Sequence, residues 1–189
     1  MPASVKEALE AVREGVAKAA ASAGREPSSV KLLAVSKTFP KEDILEAYAA
    51  GQRLVGENRV QELEEKVPAL PKDIQWHLIG HLQSNKAAKA VATASWIHSI
   101  DSLKLLERIG RFAADGNVRP NILLELNVSG EESKFGERDA SEALHLAETA
   151  IKTPSVNLLG LMTMAPLDAD EALRRRVFAS LREMRDRME

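Results

Sequence analysis

Apolar positions along the chain change period repeatedly, and those changes mark the elements. Near the N-terminus Val5, Leu9, Val12 and Val16 recur at intervals of four, three and four, one stripe of an amphipathic helix. Ser4 and Glu7 stand at capping-box spacing in front of it, and Gly24 and Pro27 stop it. A short apolar run, "VKLLAVS" (30–36), then reads as a strand. Pro40 opens a helix through Ile44, Leu45 and Tyr48 that Gly51 closes.

The alternation continues to the end of the chain. Strands are expected at "RLVGE" (53–57), "QWHLIG" (75–80), "WIHSI" (96–100), "NILLELNV" (121–128) and "VNLLGLM" (156–162). Helices are expected at "RVQELEEKV", at "SNKAAKAVA", at "SLKLLERIGRF" behind a capping Asp101, and from about 137 to 152. A last helix carries Leu173, Val177, Leu181, Met184 and Met188 on one side. Six β/α units in strict alternation mean a parallel sheet covered by helices, either doubly wound or a (β/α) barrel. No glycine-rich phosphate loop of the dinucleotide or Walker type follows any strand, which counts against the nucleotide-binding version.

The fifth strand favours the barrel. Ile122, Leu124, Leu126 and Val128 share one face, and Leu123, Glu125 and Asn127 the other. Polar groups on one face near a strand's C-terminal end suit a barrel mouth, where active sites of that fold lie. Lys37, Glu57, His81, Asp101, Asn127 and Thr163 all fall at or just after strand ends.

Composition narrows the function classes. The chain of 189 residues is 44% hydrophobic and 29% charged, with a formal net charge of -2, so no broad attraction to nucleic acid is expected. Arg174, Arg175 and Arg176 sit among acidic residues and read as a solvated helix face. The absence of cysteine excludes disulfides, thiolate metal sites and cysteine nucleophiles. No apolar run approaches the roughly 20 residues that span a bilayer, and the charged, amphipathic N-terminus is unlike a signal peptide, so a cytoplasmic protein is expected.

Within this frame Lys37 is the residue that raises a chemical question. A lysine at a strand end is either a solvated tail or a chemically used amine, and at a barrel mouth it can form a Schiff base with an aldehyde. Ser36 beside it is not read as its partner, because adjacent strand residues point to opposite faces. Asn58 in "GENRVQE", taken alone, reads as a helix cap. His77 and His81 are four apart, but on a strand and its exit loop rather than on a helix, and His98 reads as a hydrogen-bonded core or lumen histidine. The loop in "LNVSGEESKFG" (126–136) is long and polar, the kind of segment on which function tends to sit.

Taken in order, "KLLAVSKTFP", "GENRVQE", "WHLIGHLQSNK", "IHSIDS", "LNVSGEESKFG" and "GLMTMAP" closely resemble the pyridoxal-phosphate homeostasis family across nearly the whole chain. The resemblance implies a parallel TIM-type barrel like the N-terminal domain of alanine racemase, here with about six β/α units after an N-terminal helix. Residues 1–189 would form one such domain. The family barrel has eight strands, so the domain is expected to be C-terminally incomplete, without the family segments that supply the phosphate cup and the arginine facing the pyridine nitrogen.

The resemblance also implies a cofactor, pyridoxal 5'-phosphate, held as an aldimine on Lys37. Asn58 falls on a segment lining the cofactor pocket. Met164 falls where related racemases set a side chain against the pyridine ring, and Lys134 near where they set an arginine. Family members look like carriers or buffers of vitamin B6 without firm catalytic turnover, with apo forms of pyridoxal-phosphate enzymes as candidate partners. Two alternatives remain open on the residues alone: a racemase-like enzyme using the same aldimine, and a cofactor-free Schiff-base aldolase.

Overall fold

The computed structural model describes residues 4–128, 136–137 and 139–188. Six parallel strands form one sheet in chain order: β1 (Ala34–Val35), β2 (Leu54–Glu57), β3 (Gln75–Leu78), β4 (Trp96–Ile100), β5 (Asn121–Glu125) and β6 (Asn157–Met162). Helix α1 (Val5–Ser22) precedes β1. Each strand is then followed by a helix: α2 (Lys41–Ala49), α3 (Val60–Lys66), α4 (Ala87–Thr93), α5 (Leu103–Asp115), α6 (Ala140–Ile151) and α7 (Glu171–Met188). Sequential parallel neighbours with helical crossovers are the (β/α)-barrel arrangement rather than the doubly wound one, whose strand order reverses at a switch point.

The local signals behave as their chemistry predicts. Ser4 accepts from the Glu7 N–H at 3.2 Å and Glu7 returns a bond to the Ser4 N–H at 2.9 Å, completing the capping box of α1. Gly24 and Gly51, each at positive φ, end the first two helices. In α7 the expected stripe is the less exposed side, with Val177 buried and Met188 packed against the core.

The core lies between sheet and helices. Val55, Trp76, Leu78, Ile97, Ile122 and Leu124 point outward from the sheet and meet Ile44, Leu63, Ala90, Leu106, Ile109 and Leu146 from the helices, all buried. Residues of the opposite parity form the inner face: Gly56, His77, His98, Leu123 and Glu125. The fifth strand divides as its alternation indicates.

Several expectations fail locally, and among them β3 stops at Leu78 instead of residue 80 and β5 at Glu125 instead of residue 128. The first strand spans two residues instead of 30–36. Its upstream backbone is bonded by a side chain instead of a ladder: the buried Gln52 amide donates to the Leu32 carbonyl at 2.9 Å and the Leu54 carbonyl at 2.7 Å. The N-cap of α5 is Ser102 rather than Asp101. Asp101 instead takes a 3.1 Å contact from the His81 Nδ1 across the strand ends.

Candidate functional site

Lys37 lies in the turn after β1, exposed, with no hydrogen bond or salt bridge to any described residue. The peptide groups on either side of it are tightly held. The Ser36 N–H donates to the Gly56 carbonyl at 2.9 Å, extending the β1–β2 ladder, and the Phe39 N–H closes a turn on the Ser36 carbonyl at 3.1 Å. That same carbonyl accepts from the Lys66 Nζ at 2.9 Å. On the far side the Thr38 N–H donates to the Glu62 Oε2 at 3.0 Å. Thr38 adopts φ 66°, a conformation that costs a β-branched residue energy and persists only where its surroundings enforce it.

The enforcing group is a buried ion network between β2 and α3. Lys66 Nζ donates to the Glu57 Oε1 at 2.6 Å and to the Glu62 Oε2 at 3.1 Å, and the Ser36 hydroxyl donates to the same Glu57 oxygen at 2.6 Å. The Glu57 side chain is fully buried and the Lys66 side chain 11% exposed, so the pair is little screened by water. Burial pushes the Glu57 carboxyl up; its bonds from Lys66 and Ser36 oppose this, and the result stays above the usual carboxylate range. Burial alone would lower the Lys66 ammonium, but its bonds to Glu57 and Glu62 outweigh that and hold it above its ordinary value. Burial likewise acts to raise Glu62, and the Thr38 N–H and Lys66 bring it below its ordinary value instead. Ser36 therefore turns outward to Glu57.

Asn58 follows β2 and is half-buried. It does not cap α3, whose N-cap is Arg59 with no side-chain bond. Its backbone is instead seated on Gly80: a Cβ added there would stand 2.3 Å from the Asn58 carbonyl oxygen. Only glycine permits that approach, so "GENR" and "LIGH" are fitted to each other through bare backbone.

The inner face carries a second polar group. His77 stacks on Trp96 with ring centroids 5.1 Å apart, and its Nδ1 lies 2.8 Å from the His98 Nε2. Burial lowers the His77 pKa to about 3, helped by His98, and lowers that of His98 to about 4, so both imidazoles are neutral at pH 7. One strand further on, Glu125 is 3% exposed, and burial together with the Asp101 charge pushes its carboxyl up to about 7. The Glu125 Oε2 and the His77 Nε2 are buried without a hydrogen-bond partner among the described residues.

The remaining expected site residues divide. Met164 follows β6 at the same end of the sheet as Lys37 and Asn58, and is 48% exposed. Thr163 before it is fixed by a 2.7 Å bond from its hydroxyl to the Leu126 carbonyl. Lys134 lies outside the described residues. Glu57, grouped by its strand-end position with mouth residues, turns instead toward α3. The roles of Glu62 and Lys66 escape a motif-based reading, although their i, i+4 spacing was a visible signal for an ion pair.

Comparison with known proteins establishes the family. The family model for the alanine racemase N-terminal domain matches residues 8–189. The pyridoxal phosphate homeostasis protein of Aquifex aeolicus is 40% identical over 184 residues, covering 97% of this chain and 80% of that protein. Its namesake in Pseudomonas aeruginosa is 40% identical over 183 residues, covering 96% and 79%. Among solved structures, PipY of Synechococcus elongatus with PLP bound superposes with a TM-score of 0.83 at 37% identity, covering 97% of this chain and 81% of that one. The alanine racemase of Streptomyces coelicolor superposes with a TM-score of 0.70 at 18% identity over 96% of this chain and 49% of its own, a likeness of fold. With the barrel topology, the family-model match and an identity sustained across nearly the whole chain, this protein belongs to the alanine racemase N-terminal domain family and, within it, to the pyridoxal phosphate homeostasis proteins.

Proposed function

We propose that the chain binds pyridoxal 5'-phosphate at the C-terminal end of its sheet, with Lys37 as the attachment point, and serves vitamin B6 homeostasis by holding and releasing the cofactor. The observation that carries the reading is the state of Lys37: an amine without an ion-pair partner among the described residues, on a backbone fixed at both neighbouring peptide groups. When bound, the cofactor supplies an aldehyde that condenses reversibly with a primary amine and releases one water. Lys37 follows β1 at the same end of the sheet as Asn58 and Met164. The inner face offers a ligand hydrogen-bonding capacity, since two buried polar atoms, the Glu125 Oε2 and the His77 Nε2, lack partners among the described residues. Asn58 and Met164 are the residues we assign to flank the ligand from β2 and β6.

Amino-acid turnover is not part of the proposal. Stereoinversion by two bases needs a proton carrier on each side of the reacting carbon, and Lys37 supplies one. Apo forms of pyridoxal-phosphate enzymes are the recipients this reading implies, and the cytoplasm is the compartment. Among the described residues no helix is long and apolar enough to cross a membrane.

Titration with pyridoxal 5'-phosphate should produce a visible absorbance band. Borohydride reduction followed by peptide mapping should then find the label on Lys37, and Lys37→Ala should lose the band while unfolding like the wild type. Label on Lys31, Lys41 or Lys134 in place of Lys37 would overturn the assignment.

A further inference from the structure

We propose that Glu62 and Lys66, together with Glu57, are positioning residues: they fix the reach of the Lys37 amine without touching the cofactor. The inference rests on the assignment of Lys37 above and extends it to a set of side chains outside the ligand pocket.

The case is geometric. Four rotatable bonds separate a lysine's backbone from its ammonium, so the position of the amine is only as well defined as the backbone that carries it. At Lys37 the sheet offers little definition, because β1 contributes two residues to the ladder. Definition comes from α3 instead. The peptide group before Lys37 is gripped through the Ser36 carbonyl by Lys66 at 2.9 Å, and the one after it through the Thr38 N–H by Glu62 at 3.0 Å. The grip joins the sheet at Glu57, whose Oε1 takes both the Ser36 hydroxyl and the Lys66 ammonium at 2.6 Å. Thr38 at φ 66° shows that the turn is held against its own preference. The three side chains thus surround the Lys37 backbone on both sides, yet none of them binds the Lys37 ammonium. An arrangement serving stability alone would gain by including that amine; one serving chemistry must leave it free.

The test uses the full chain, with Glu62→Ala and Glu62→Gln. The amide of Glu62→Gln keeps an acceptor for the Thr38 N–H but loses the charge that draws Lys66. Affinity for pyridoxal 5'-phosphate, the pH profile of the visible band and the distribution of borohydride label are read on each, beside thermal unfolding. Loss of a charge-assisted bond from the turn should weaken binding about tenfold in Glu62→Ala and spread label to other lysines, with Glu62→Gln between it and the wild type. The pH profile of the band should shift in the same order, a change that loss of stability alone does not produce. Wild-type affinity, profile and Lys37 labelling in a folded Glu62→Ala would overturn the inference and leave the attachment at Lys37 standing. Should Glu62→Ala fail to fold, Glu62→Gln decides by the same three readings. Absence of label on Lys37 in the wild type would overturn both proposals.

Discussion

Glu57 and Glu125 are the same residue in nearly the same setting, and burial raises the carboxyl of both, but their partners differ. Each ends its β-strand, on β2 and β5, each is almost wholly buried, and each keeps one carboxylate oxygen without a partner among the described residues. Glu57 faces outward, where α3 brings Lys66 to 2.6 Å and β1 brings the Ser36 hydroxyl to the same distance. Glu125 faces inward, where the charge acting on it is the like charge of Asp101. A buried carboxylate given a cation becomes a fixture of the framework. One buried without a cation, and with a neighbouring acid besides, becomes a group that takes up a proton near neutrality. Which face of the strand the residue occupies decides the outcome, and parity along the strand decides the face.

Removing the cation should be the most damaging way to break the contrast. Lys66→Met leaves Glu57 buried with its charge uncompensated, which should cost about 3 kcal/mol at pH 7 by urea denaturation. The deficit should shrink as the pH falls, because Glu57 can then take up a proton and bury a neutral group. A deficit independent of pH would mean that Lys66 acts by packing and not by charge.

Glu125→Gln sharpens the contrast from the other side. Because the folded-state pKa of Glu125 is raised to about 7, its contribution to stability is fully present below the ordinary glutamate value and is lost as pH rises through 7. The neutral amide carries no such loss. The variant should therefore gain on the wild type by about 2 kcal/mol between pH 5 and pH 8, read as the difference between two urea-denaturation series. The histidine pair has the opposite sign: depressed values near 3 and 4 give stability that is present above the ordinary histidine pKa and lost as pH falls below it. It is common to both proteins and cancels in the difference. A difference that stays constant across the range would place the Glu125 carboxyl in its ordinary range.

The smallest effect concerns the strain that the paired network supports. Thr38→Gly relieves the positive φ but adds freedom to the unfolded chain, and the net should be a stabilisation of about 0.5 kcal/mol. Thermal unfolding measures it. A loss of stability would show that Thr38 rests comfortably at φ 66° and that the network supports no strain there.

Much of this molecule is readable from local pattern, and the reasons are specific. Trp96–Ile100 and the stripe of α7 are long enough for period alone to fix them, and Ser4 with Glu7 signals its helix start through a contact three residues apart. The inward direction of Glu125 follows from counting along β5. Other features depend on partners distant in sequence. The first strand is short because Gln52, some twenty residues on, takes the Leu32 carbonyl. Asp101 is drawn from its capping role by His81, and the identity of residue 80 is dictated by the backbone of Asn58. Lys37 was legible as a chemical candidate. What holds its backbone was legible only in part, since the Glu62–Lys66 spacing is local while Glu57 and Ser36 reach the pair from two different strands.

The two-residue length of β1 has a consequence for how the molecule opens. A strand with so little ladder cannot set its own opening free energy, so the Thr38 amide, bonded to Glu62, should exchange with solvent water at the pace of α3, while the Ser36 amide, bonded to the Gly56 carbonyl, should follow β2. The turn bearing Lys37 and the helix behind it then form one cooperative unit. A single local opening event would release both together, so loosening α3 along its length would free the lysine while β2 to β6 stay folded.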